Sequence, residues 1–355
     1  MVFVLIGKSR VTGADATMML REAAEAPDVV ARLIAGNADA CRELGARVKA
    51  KPPAFVVTCA RGSSDSAATY AKYLWEIRMG VVVASVGPSV ASVYGRRLAM
   101  RDALFLAVSQ SGSSPDLLTL AEAARADGAL TVAIVNDVAS PLAERCEVVL
   151  PLHAGAETSV AATKSYLAAL AALLQLAAHI SGDPGLDRAV KSLADNLDDA
   201  LRRDWRPALA ALSSAGNLYV AGRGPGFAAA QEAALKFKET CGIHAEAMSA
   251  AELKHGPQAL ARPDFPVMVF SQRDAAMDGL QDLGRELVAR SVPVIAAGPA
   301  SIDGALTLPT AGGLDPFAQP IALVQSFYPL VEALARARGR DPDRPPHLSK
   351  VTETT

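Results

Sequence analysis

Two stretches of this 355-residue chain hold side chains whose types and spacing allow chemistry. The first is SQSGSSPD, where Ser109, Gln110, Ser111, Gly112, Ser113 and Ser114 precede Pro115, a residue favoured in the first turn of a helix. Hydroxyls, backbone N–H groups and a helix N-terminus suit a phosphate without Lys or Arg. The dipole contributes only about 0.3–1 kcal/mol, so the N–H and O–H bonds must carry most of the binding. The same string also fits an ordinary Ser/Gly turn with an N-cap. RGSSDS, with Ser63 and Ser64, is a second serine-rich loop of this kind. The second stretch is EAALKFKETCGIHAEAMSAAELKHGP, residues 232–257. Glu232, Lys236 and Glu239 are spaced i, i+4, i+7 and share one helix face. That spacing also fits a solvated salt-bridge ladder. His255 stands at a Gly-Pro turn, where a surface histidine is equally natural.

The elements that must position these residues follow from hydrophobic periodicity. A helical pattern covers 16–50. AFVVTC (54–59), VVVASV (81–86), LFLAVS (104–109) and TVAIVND (131–137) are short apolar runs alternating with helix-length segments, the pattern of βα units around a parallel sheet. A long Ala/Leu helix spans about 160–180, and 186–215 is a charged, amphipathic connector. The pattern then restarts with NLYVAG (217–222), PVMVFSQRD (266–274) and VPVIAAG (292–298). The restart keeps phase: Arg61-Gly62 recurs as Arg223-Gly224, Ser109-Gln110 as Ser271-Gln272 and Asp116 as Asp278, each 162 residues later. Matches at one common offset, in one order of elements, predict an internal duplication: two tandem doubly wound α/β domains. The divisions expected are a leader and helix at 1–50, a first domain at 51–185, a helical connector at 186–215, a second domain at 216–338 and a tail at 339–355, with 1–15 a leader outside the fold.

In open parallel sheets, ligands bind beyond the carboxyl ends of the strands, which directs attention to both serine loops. The second copy of the longer loop reads SQRDAAMD, with Arg273 for Ser111 and Asp274 for Gly112. An acidic side chain there repels phosphate, so one anion site per chain is expected, in the first domain.

Composition limits the function classes. The chain is 51% hydrophobic but only 5% aromatic, with 35 basic against 37 acidic residues and a formal net charge of −2. That balance argues against nucleic acid as partner, and the apolar share argues against disorder. Cys41, Cys59, Cys146 and Cys241 form no CxxC pair, and the histidines form no HExxH pair, so neither a disulfide framework nor a metal site is expected. The longest apolar stretch, 166–180, falls short of the ~20 residues of a membrane span. MVFVLI is too short for a signal-peptide core, and a cytoplasmic location is expected.

SQSGSSPD, AGAETSVAATKSY (154–166), the 232–257 run and the tail HLSKVTET (347–354) together resemble the isomerase half of glucosamine-6-phosphate synthase. They resemble its stand-alone relatives among the sugar isomerase (SIS) domain proteins more closely, including isomerising glucosamine-6-phosphate deaminases. By this resemblance, which covers about residues 50–355, the phosphate contacts fall on Ser109, Gln110, Ser111 and Ser114, with Ser63 and Ser64 from the earlier loop. Val160 falls where backbone lines the sugar. Glu239 matches the proton-shuttling carboxylate, and Lys236 would hold negative charge developing on an enediol-like oxygen. His255 matches the residue that opens the sugar ring and comes from a neighbouring subunit, which implies a homodimer. Lys350 matches the tail lysine that forms a Schiff base with the ketose phosphate. No cofactor or metal is implied. About fifty residues precede the first sheet and no cysteine lies near the start, so a glutaminase half is not expected. The implied reaction is glucosamine 6-phosphate to fructose 6-phosphate plus ammonia. The alternatives are a deglycase or isomerase of another phosphosugar, such as a galactosamine or fructosyl-amine 6-phosphate, and a sugar-phosphate sensor without catalysis.

Overall fold

A computed structural model describes residues 16–350; the leader at 1–15 and the end of the tail, 351–355, lie outside the described residues. Among the described residues, three helices precede the first strand: α1 (Met18–Ala24), α2 (Ala26–Gly36) and α3 (Ala38–Ala50). The sequence pattern reads as one helix there, but the chain breaks at Glu25 and again at Asn37. Thr17 starts α1 as an N-cap, its hydroxyl accepting the Leu20 N–H at 3.2 Å.

Two compact units follow from the contacts within the chain. The first holds residues 28–157, 165–191 and 349–350. Its elements are β1 (Phe55–Cys59), α4 (Ser63–Met79), β2 (Val83–Ser85), α5 (Ser89–Ser92), β3 (Ala103–Ser109), α6 (Pro115–Asp127), β4 (Leu130–Val135), α7 (Pro141–Arg145) and β5 (Val148–Pro151). The five strands form one parallel sheet in the order β2-β1-β3-β4-β5, with Val57 opposite Phe105 and Leu106 opposite Val132. Every residue of β3 is buried, as expected of a central parallel strand with helices on both faces. Because β1 and β3 are neighbours and their crossovers leave in opposite directions, the chain reverses its winding between them. The loops after β1 and after β3 therefore flank one crevice.

The helices α8 (Lys164–Ser181) and α9 (Pro184–Leu201) carry the chain onward. Although α8 contains the long apolar run, no helix of the described residues is long and apolar enough to cross a membrane.

The second unit holds residues 16–27, 158–164 and 192–348. After the short α10 (Leu209–Leu212) come β6 (Asn217–Gly222), α11 (Pro225–Lys236), β7 (His244–Ser249), α12 (Ala250–Lys254), β8 (Val267–Phe270), α13 (Met277–Ala289), β9 (Val294–Ala297), β10 (Leu306–Leu308) and α14 (Ala318–Ala337). The sheet order β7-β6-β8-β9-β10 repeats that of the first unit strand for strand. Helix bounds keep the offset of 162 as well: α6 at 115–127 matches α13 at 277–289, and α4 at 63–79 matches α11 with the turn after it, 225–241. Gly62 and Gly224 start the two matched helices at φ 58°, ψ −131° and φ 58°, ψ −137°. Within this unit α1 joins α14: Thr17 donates to Glu332, and Gln325 donates to the Ala23 carbonyl at 2.9 Å. The fold is thus the duplicated, doubly wound α/β pair that the sequence pattern predicts.

Candidate active site

In the first unit the SQSGSSPD loop leaves β3 and turns into α6. Buried Ser109 accepts the Gly112 N–H on its hydroxyl at 3.0 Å, which folds the loop back on the strand end. Gly112 has φ +64°, and a Cβ there would strike the Ser140 hydroxyl at the head of α7. Glycine is therefore required twice, by dihedral and by space. Ser111 and Ser113 bond to each other through hydroxyl and backbone. Ser114 occupies the N-cap position of α6, yet its hydroxyl makes no bond to the helix. An ordinary capping serine would be engaged there, so this hydroxyl is available to a ligand. Gln110 and Ser111 are half-buried on the same turn. Ser63 and Ser64, also half-buried, form the first turn of α4 behind Gly62.

Arg61 ties the two loops together, a contact the sequence did not disclose. Its Nε and Nη2 donate to one oxygen of Asp116 at 3.0 and 2.6 Å, while the other oxygen accepts the Leu117 N–H at 2.8 Å. Asp116 is fully buried and Arg61 half-exposed. The only sequence signal was that both recur at the common offset. The second copy has lost this arrangement: buried Gln272 donates to the Arg223 carbonyl and to Asp274, both at 2.8 Å. That loop is filled by its own side chains.

In the second unit α11 ends in a π turn, Phe237–Cys241. Such turns widen a helix locally and recur at functional sites. Here it presents Glu239 to Lys236, whose ammonium lies 2.8 Å from Glu239 and 3.3 Å from Glu232. Glu232 also accepts the Tyr328 hydroxyl at 3.2 Å from α14. The solvated-ladder alternative fails, because Lys236 and Glu232 are buried and only Glu239 retains exposure, at 21%. Burial alone would push the lysine's pKa down. Glu232 and Glu239 outweigh it and hold the ammonium above the ordinary lysine range. His255 is exposed at the end of α12, and its ring makes no hydrogen bond to a described residue.

The remaining candidates are anchored by glutamates that sequence reading passed over. The 158–160 segment that holds half-buried Val160 hangs on Glu22 of α1, whose buried carboxylate accepts the Thr158 N–H at 2.5 Å and the Ser159 N–H at 3.1 Å. Nearby, buried Lys164 pairs with Glu25 at 2.6 Å. In the first unit, Lys350 lies 3.2 Å from Glu157, whose side chain is fully buried. Among the described residues no group of His, Cys, Asp and Glu is arranged to hold a metal ion.

The two matched halves have a counterpart among known families: the SIS domain model matches residues 55–179 and 211–297, more than half of the chain. The chain belongs to the SIS domain family. This SIS chain is 38% identical over 271 residues to the isomerizing glutamine–fructose-6-phosphate aminotransferase of Aeropyrum pernix, covering 70% of this chain and 43% of that protein. To its Thermotoga maritima counterpart it is 35% identical over 316 residues, covering 83% and 50%. It thus spans about half the length of the curated relatives it matches. Among solved structures, a protein from Silicibacter pomeroyi DSS-3, provisionally named a phosphosugar isomerase, superposes with a TM-score of 0.88 at 43% identity, over 92% of this chain and all of that one. The C-terminal domain of glucosamine-fructose-6-phosphate aminotransferase from Francisella tularensis gives 0.83 at 25% identity, over 94% and 99%. The SIS chain is therefore related to the isomerase part of those enzymes.

Within the SIS framework, the structure brings together Ser109 with Gly112 and Ser111 with Ser113 in one unit, and Lys236 with Glu239 in the other. No hydrogen bond or ion pair among the described residues joins His255 to Lys236 or Glu239. Of the residues missed from sequence, Glu157 pairs with Lys350, Tyr328 bonds Glu232 beside Lys236, Glu22 holds the backbone just before Val160, and Arg61 and Asp116 pair with each other between the two serine loops. Their side chains gain meaning only through contacts distant in sequence.

Proposed function

We propose that this SIS chain is a phosphosugar isomerase that deaminates an amino-sugar phosphate, converting glucosamine 6-phosphate to fructose 6-phosphate and ammonia. The observation that carries the reading is the buried Lys236 clamped between Glu232 and Glu239, with Glu239 alone of the three reaching solvent. Moving a proton between adjacent carbons needs one carboxylate that can reach both, and Glu239 has the exposure and the fixed partner for it. Glu239 takes the proton from C2 of the open-chain amino sugar and returns it to C1. C2 is then an imine carbon; the Lys350 amine adds there, ammonia leaves, and water releases the ketose phosphate. Lys236, held as an ammonium, stabilises charge developing on the substrate oxygen. The phosphate rests on the hydroxyls of Ser109, Ser111 and Ser114 with Gln110, and on the first turn behind Ser63 and Ser64. Val160 lines the sugar. His255, exposed and with no ring hydrogen bond to a described residue, opens the ring for a second copy in a homodimer. The kinship with isomerizing aminotransferases of fructose 6-phosphate supports this substrate class.

Pure protein incubated with glucosamine 6-phosphate should release ammonia and fructose 6-phosphate in equal amounts. No ammonia at any pH from about 6 to 9, a span around the usual operating pH of acid–base catalysis, would remove the deaminase reading. Turnover of a different phosphosugar in the same assay would leave an isomerase of that substrate.

A further inference from the structure

We propose that Glu157 is the positioning residue of Lys350, a carboxylate built into the first unit to dock the tail lysine before substrate arrives. This rests on the reading of Lys350 as the imine-forming amine. Three observations carry it. First, the Glu157 side chain has no solvent exposure, so its charge must be compensated inside the protein. Second, the carboxylate is aimed from both sides by one residue. Oε1 accepts the Ser165 N–H at 3.1 Å and Oε2 accepts the Ser165 hydroxyl at 2.5 Å, at the N-terminal turn of the 18-residue helix α8. A helix N-terminus adds to the stabilisation of that negative charge. Third, Oε2 also accepts from Lys350 Nζ at 3.2 Å, across 193 residues of sequence.

His347, Leu348 and Ser349 are exposed, and Leu348 is 45% accessible. A lysine on such a tail samples many rotamers, and the buried carboxylate selects the one in which its ammonium meets α8. The Lys350 side chain keeps 24% of its surface open, so the docked nitrogen stays within reach of a carbonyl. Neither the phosphate loop nor the Lys236 cluster uses Glu157. Its carboxylate links the start of α8 to the tail.

The test uses the full chain and two readouts, one free of substrate. Without substrate, competitive acetylation of lysines followed by peptide mass spectrometry should show Lys350 labelled at least about fivefold faster in Glu157→Gln than in the wild type, with exposed Lys72 unchanged as an internal standard. With fructose 6-phosphate, the Lys350 amine condenses with the ketose carbonyl and releases one water. Borohydride then reduces the C=N bond to a stable secondary amine. Adduct formation at Lys350 should fall at least about tenfold in Glu157→Gln and return in part in Glu157→Asp, while fructose 6-phosphate affinity stays within about threefold. Unchanged Lys350 labelling in Glu157→Gln overturns the proposal whatever the substrate results. Faster labelling with wild-type adduct formation also overturns it. Faster labelling in a protein whose wild type forms no adduct would instead sink the imine reading and leave the docking contact standing. If Glu157→Gln does not fold, the pair is probed from the other side. Chymotryptic cleavage after Leu348 should be at least about fivefold faster in Lys350→Met than in Lys350→Arg, which keeps the ion pair, and equal rates refute the docking role.

Discussion

Lys236 is a residue whose meaning changes with burial. On an exposed helix face, a lysine between two glutamates contributes a few tenths of a kcal/mol per pair. Within α11 it is an enclosed cation between one buried and one partly exposed carboxylate. Replacing it with Met leaves Glu232 charged and buried, so we expect about 3–5 kcal/mol of lost stability, read by urea unfolding. The folded pKa of Lys236 is raised. Its contribution is therefore fully present below the ordinary lysine value of about 10.4 and disappears as pH rises through the higher folded value. Glu239→Gln is the complementary change, near-isosteric and partly exposed. It should lower kcat on glucosamine 6-phosphate by about 10²–10⁴-fold while leaving phosphosugar affinity within a few-fold, and a variant of undiminished kcat would remove Glu239 from the reaction. The i, i+4, i+7 spacing was legible in the sequence. The burial of Lys236 and Glu232 was not, because it depends on α14 bringing Tyr328 to Glu232 from 96 residues away.

At the scale of elements, β1, β6, β8 and β9 stand within the apolar runs read from sequence, and β3 and β4 begin one residue before theirs. The strands missed are edge strands β5, β7 and β10, short or partly exposed. An edge strand buries less on each face and so carries a weaker hydrophobic signature. The duplication also allows a matched experiment on loops. Gly62 and Gly224 share almost one backbone conformation, at φ 58° in both. A Cβ at Gly62 meets nothing within 4 Å, and at Gly224 it makes only ordinary contacts at 3.6 and 3.8 Å. Replacing either by Ala should cost about the same, of order 1–3 kcal/mol of backbone strain, measured as a drop in Tm. Only Gly62→Ala should also weaken fructose 6-phosphate binding if, as proposed, the phosphate rests on the first loop. Equal loss of affinity in both variants would contradict the assignment of the site to the first unit.

At the scale of the whole molecule, the four cysteines are free and buried. Burial pushes Cys41 and Cys59 up to about 12, and Cys146 and Cys241 up to about 11. At pH 8 about one thiol in a thousand or fewer is the reactive thiolate. A thiol reagent should titrate essentially no cysteine in the native protein and all four after denaturation; rapid native labelling would show that a unit opens locally. What the sequence by itself determined is the framework: the βα alternation, the offset of 162, the winding of each half and the serine loop at a strand end. Periodicity and turn chemistry are local, and a repeat preserves them in phase. What only the tertiary structure decided is the partner of each charged group. Arg61 binds Asp116, Lys236 sits between Glu232 and Glu239, and Lys350 meets Glu157. Those choices depend on which side chains burial leaves without water, and the low-dielectric interior then makes each remaining pairing matter.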